Sequence, residues 1–155
     1  MRYVITAVTA IVFAIGLAGA ASAQDYSATL DGLQEVPANA SSGSGSGLFS
    51  LDGANVLHYN IVFSGTATET AAHIHGPANV GVNAGVIFPL PSGSPKIGTV
   101  GPLTAVQVGY LNAGLLYVNI HSTAFPGGEI RGQILTTVPA EETSWGAIKG
   151  LYDSE

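Results

Sequence analysis

Between residues 57 and 63 the chain alternates: Leu57, Tyr59, Ile61 and Phe63 take one parity, and His58 and Asn60 fall on the other. Successive strand side chains point to opposite sides, so a period of two marks a strand with one face in a core. Residues 48–51 read as its hairpin partner across the turn Asp52-Gly53-Ala54-Asn55. The period returns in residues 115–122, where Leu116, Val118 and Ile120 share one face and Tyr117, Asn119 and His121 the other. In residues 71–75 it puts His73 and His75 together, opposite Ile74. Residues 27–30, 85–89 and 129–135 complete a set of short strands, the last entered through the turn TAFPGG, where Gly127-Gly128 supplies a positive φ. The stretch NASSGSGSG, residues 39–47, reads as a flexible connector, and residues 93–101 as turn-rich. One helix interrupts the strands. Thr104 and Gln107 form a capping box at its start, and Gly114 stands where it should end. The pattern predicts an all-β fold, an antiparallel sandwich or flattened barrel of Greek-key type, with that one short helix.

The two ends differ from this middle. Met1-Arg2-Tyr3 is a short positive segment, residues 4–19 are almost uninterruptedly apolar, and Ala21-Ser22-Ala23 supplies a small-x-small cleavage pattern. The segment reads as a secretory signal peptide cut before Gln24. It is short for the ~30 Å hydrocarbon core, and no positive charge follows to stop transfer. The expected product is secreted, extracellular or periplasmic, with no membrane span after cleavage. Residues 137–155 read as a polar linker and a short amphipathic C-terminal helix, with Thr143 or Ser144 as its cap and Trp145, Ile148 and Leu151 at helical spacing. So short a helix is marginal alone in water, and its stripe is expected to dock. Three regions result: a signal peptide at 1–23, a β-domain at 24–136 and the tail at 137–155.

Charge narrows the partners. Without the first 23 residues, Lys96, Arg131 and Lys149 stand against all ten acidic residues. Such a chain has no electrostatic grip on phosphate backbones, which excludes nucleic acid. With no cysteine in the sequence, neither a disulfide nor a thiolate ligand is available. Any metal must be held by histidine, carboxylate or backbone oxygen.

The histidines carry the candidate chemistry. His73, His75 and His121 all fall on the polar faces of their strands, as does His58, so all four are expected to point outward. Adjacent strands would bring three or four imidazoles into coordination reach, a donor set that suits copper or zinc. The competing reading has them as surface groups that hydrogen-bond backbone carbonyls. Glu129 and Arg131, two apart on one strand face, are expected to form a structural ion pair. No nucleophile elbow or carboxylate-pair signature is present, so catalysis has no support in the sequence.

Four stretches then resemble the CHRD domain, a module known from chordin and from secreted bacterial proteins: ATLDGLQEVP at 28–37, AAHIHGPA at 71–78, LTAVQVGYLNAGLLYVNIHS at 103–122 and PGGEIRGQI at 126–134. They occur in the family's order. Ala38 departs from the family's usual doubled proline, and the Gly/Ser stretch is longer than typical. The resemblance implies a sandwich of superoxide-dismutase-like or immunoglobulin-like build and little about function. Copper–zinc superoxide dismutases build their copper site on the outer face of a barrel from an H-x-H strand and further histidines, an arrangement similar in outline. The tail's WGAIKGLY is similar to terminal motifs of other exported bacterial proteins. Two functions remain: a secreted binding module with a copper or zinc site, or a non-catalytic structural or interaction module without metal. The partner would be an extracellular protein or surface component.

Overall fold

Alternation of apolar and polar positions, interrupted by glycine and proline, produces nine strands and one α-helix in the computed structural model, which describes residues 24–137. The strands are β1 (Gln24–Asp31), β2 (Ser44–Leu51), β3 (Leu57–Ser64), β4 (Glu69–His75), β5 (Val86–Leu90), β6 (Lys96–Val100), β7 (Tyr117–Ser122), β8 (Ile130–Gln133) and β9 (Leu135–Thr136); α1 is Ala105–Asn112. The signal peptide, the Thr143/Ser144 cap and the Trp145, Ile148 and Leu151 stripe lie outside the described residues.

Every strand pair is antiparallel, in the order β5-β4-β7-β8-β1-β2-β3-β6, with β9 also paired to β1. Strands β8 and β1 meet at a single register pair, Asp31 with Arg131. The sheet curls back on itself, because residues far apart in the order share one core: Leu57 and Ile61 of β3 cluster with Ile74 of β4 and Ile120 of β7. The all-β, flattened-barrel class is as the alternation predicts. The hairpin across residues 52–55 pairs Leu51 with Leu57, and Leu57, Tyr59 and Ile61 are buried while His58 and Asn60 are exposed.

The helix also forms as its caps predict. Thr104 Oγ1 accepts from the Gln107 N–H, and Gln107 Oε1 accepts from the Thr104 N–H. Gly114 has φ +67°, the left-handed conformation that turns the chain back toward β7. Leu111 goes into the core, and Asn112 accepts a hydrogen bond from the Tyr26 hydroxyl.

Two segments differ from expectation. The Gly/Ser stretch is not a connector throughout: from Ser44 it is strand β2, paired with β1 and β3 over eight residues on each side. Its glycines occupy inward positions. A Cβ on Gly47 would lie 2.7 Å from the Phe49 ring, and one on Gly45 would lie 2.8 Å from Phe63 Cβ. Large neighbours fill the core where the glycines leave room, so the low propensity of glycine is overridden by packing. Residues 93–101, expected as turns, contain β6, which pairs with β3 from Leu57–Val100 to Ile61–Lys96. Lys96 anchors it: its ammonium is buried, ion-paired with Glu69 and bonded to the Pro91 carbonyl.

Candidate metal centre

Strand register brings three of the four histidines together. Ala71 of β4 is opposite His121 of β7, and His73 is opposite Asn119. His121 is therefore the diagonal neighbour of His73 on the same face, within reach of a long side chain. The ring centroids are 5.0 Å apart for His73 and His121, 5.3 Å for His73 and His75, and 5.8 Å for His75 and His121. One nitrogen from each ring lies within 4.8 Å of the other two.

The second nitrogens are already committed. His75 Nδ1 lies 3.0 Å from the Ala84 carbonyl and His121 Nδ1 lies 3.0 Å from the Pro126 carbonyl. A carbonyl only accepts, so both Nδ1 atoms carry the hydrogen and both Nε2 atoms present a lone pair. His73 Nδ1 faces His121 Nε2 at 3.2 Å; without an ion one hydrogen lies between the two nitrogens, and an ion held by both rings would displace it. His75 Nε2 is buried without a partner. Desolvation holds the His75 imidazole below its ordinary pKa, with the charges of His73, His121 and Arg131 adding to the effect and the Ala84 bond opposing it. Desolvation, then the charge of His121, lowers His73 too. At neutral pH these two rings are the neutral, lone-pair form that a metal requires.

A family model for the CHRD domain matches residues 26–134. The chain belongs to the CHRD-domain family. No curated protein and no solved structure matches it. The four stretches that resemble this family meet in space around the histidines. HIHGPA supplies the end of β4 and the turn after it, YVNIHS is β7, IRGQ is β8 beside it, and Glu35 of the first stretch receives the Asn119 side-chain N–H. Parts of all four stretches thus meet in one three-dimensional patch.

His58 is not part of it. It sits on β3, in the other half of the sheet order, and its Nε2 is 3.0 Å from Asp52, an exposed pair at the hairpin turn. Its outward parity is as expected, but β3 is not a neighbour of β4 or β7. Nor do Glu129 and Arg131 pair with each other. Glu129 accepts from the Ser41 hydroxyl and the Ala67 N–H. Arg131 donates to the Val82 carbonyl at 3.0 Å and to Asn83 Oδ1 at 3.3 Å. The outward face of β7 and β8 is not simply surface: Tyr117, Asn119, Arg131 and Gln133 are all buried under the loop after β4 and the segment after β1.

Sequence reasoning missed Tyr117, Arg131 and the loop carbonyl of Ala84 as parts of this patch. The Tyr117 ring stacks on His75 with centroids 5.0 Å apart and planes 8° from parallel. The signal available was the polar alternation of residues 117–121 and 131–133, which a solvent-facing strand shares. Nothing in the loop 79–85 announces that it folds over that face.

Proposed function

We propose that this CHRD domain is an exported binding module that holds one copper or zinc ion on His73, His75 and His121. The observation that carries the reading is the buried, unpartnered Nε2 of His75 beside two further imidazoles. A buried polar atom without a partner costs of order 1–3 kcal/mol, and a cation ~2.0–2.1 Å from three ring nitrogens removes that cost. Carbonyl partners on the far nitrogens of His75 and His121 orient the rings as metal-binding histidines require. His73 and His121 are only half-buried, so the edge of the cluster is open to solvent. A bound ion would act there as a Lewis acid.

Among the described residues no cationic side chain stands at the surface to guide an anionic substrate. Lys96 and Arg131, the lysine and arginine of the described residues, are both 1% exposed, whereas Asp25, Asp31 and Asp52 of the described residues reach solvent. A site that processes an anionic substrate gains from a positive guide, and none of the described lysine or arginine groups reaches solvent. The second reading is an extracellular structural or interaction module whose histidines only anchor turns. The bonds to Ala84 and Pro126 favour it, since each ties a loop to a strand without any ion.

Calorimetric titration separates the two. Chelator-stripped protein is titrated with Cu(II) and with Zn(II), alongside the double variant His73→Ala/His75→Ala. One equivalent bound with sub-micromolar Kd and lost in the variant is expected. Absence of binding in the unmutated protein refutes the metal reading and leaves the structural one.

A further inference from the structure

We propose that Tyr117 and Arg131 are positioning residues of this centre: the guanidinium clamps the phenol ring, and the ring with its hydroxyl fixes the plane and tautomer of His75. The inference deepens the metal-binding reading and rests on it for its effect on affinity.

Register places the three side chains in a row. His75 of β4 is opposite Tyr117 of β7, and on the other side of β7 Arg131 of β8 is opposite Asn119, the next residue on the same face. Tyr117 is therefore flanked by an imidazole and a guanidinium. On one side the His75 ring lies parallel at 5.0 Å; on the other, Arg131 Cζ stands 3.5 Å from the ring centroid. Tyr117 and Arg131 are each 1% exposed, so the stack operates out of water, where a cation over an aromatic face is worth most.

The same three groups share the loop. Tyr117 Oη accepts from the Ala84 N–H at 2.9 Å, and the Ala84 carbonyl is the acceptor for His75 Nδ1. Arg131 holds the preceding residues through the Val82 carbonyl and Asn83 Oδ1. Without the clamp, Ala84 loses its position, and with it goes the bond that puts the hydrogen on Nδ1 and the lone pair on Nε2. Burying a cation that has only neutral acceptors is expensive, more so than a hydrophobic residue of like volume. A guanidinium suits the place because it stacks and forks at once, which an ammonium cannot do.

Arg131→Lys keeps the charge and removes the plane; Tyr117→Phe keeps the stack and removes the hydroxyl. Both are measured beside the unmutated full chain, with a thermal melt to establish that each is folded. Cu(II) titration should show affinity about 10–100-fold weaker in each, at unchanged stoichiometry, the range typical of lost outer-shell support. Copper EPR should show a changed nitrogen hyperfine pattern. A metal-free arm reads the ring nitrogen shifts of His75 by NMR: a single Nδ1–H form in the unmutated protein, a mixture in both variants. If the unmutated protein binds no copper, the metal reading fails, and the NMR arm still decides the positioning role. Unchanged affinity and a single His75 tautomer in folded Arg131→Lys and Tyr117→Phe overturn the proposal. Should Arg131→Lys fail to fold, Tyr117→Phe alone decides.

Discussion

Replacing Glu35 with glutamine should flatten the pH dependence of stability in this domain. Glu35 is 6% exposed, and its Oε1 is a buried oxygen with no donor. Asn119 Oδ1 is another; it, Asn119 Nδ2 and Glu35 Oε1 all lie 2.6 Å from the point a Cβ on Gly128 would occupy, so two acceptors without a donor of their own stand close together. A proton on the carboxyl supplies that donor. Burial accordingly pushes the Glu35 pKa from 4.5 up to about 7, against the pull of the Arg131 charge and of hydrogen bonds from Asn119 and the Val36 backbone. Between those two values the folded state keeps a proton that the unfolded chain has released. Stability therefore falls as pH rises through that window; the contribution is complete below 4.5 and gone above about 7. At about 1.36 kcal/mol per pKa unit, the change amounts to roughly 3 kcal/mol. Glutamine has nearly the same shape and cannot ionise. Urea denaturation at intervals from pH 4.5 to 8 gives the difference in unfolding free energy between the two proteins, and titrations common to both cancel in it. That difference should move by roughly 3 kcal/mol toward the variant as pH rises. Two curves that run parallel across the range would refute the argument.

Gly47→Ala should cost about 1–3 kcal/mol by urea denaturation, because its methyl meets the Phe49 ring, whereas Ser46→Ala on the exposed side of the same strand should cost little. Equal and negligible losses at both positions would restore the flexible-connector reading of that stretch. Lys96→Met should cost about 3–5 kcal/mol, since it leaves the Glu69 carboxylate, only 10% exposed, without its cation. The double variant Lys96→Met/Glu69→Leu should recover most of that loss; no recovery would show that the pair is not coupled.

Much of the fold was legible where local chemistry and tertiary packing agree. The 57–63 alternation, the hairpin before it and the Thr104–Gln107 capping box each state their own structure, since a period or a cap is satisfied within a few residues. The failures share one cause. At residues 44–47 glycine and serine propensity signals a loop, yet the strand exists because Phe49, Ile61 and Phe63 fill the space the glycines leave. Residues 96–100 lie in a turn-rich stretch and become a strand through the burial of Lys96 against Glu69. His58 shares the parity of the other three histidines, and parity says which face a side chain takes but not which strands are neighbours.

Local pattern alone sets the all-β class, the likeness to the CHRD family, and the placement of His73 and His75 on one strand face. These follow from spacings of two residues and from motifs of a few residues, and no distant contact can change them. Long-range packing put β7 beside β4, which makes His121 a neighbour and leaves His58 out. It also decided that the face they share is covered, with Tyr117 and Arg131 behind His75 rather than in water and Glu129 bonded elsewhere. Strand order and loop closure depend on which surfaces bury one another across the whole chain, and that competition has no local signature.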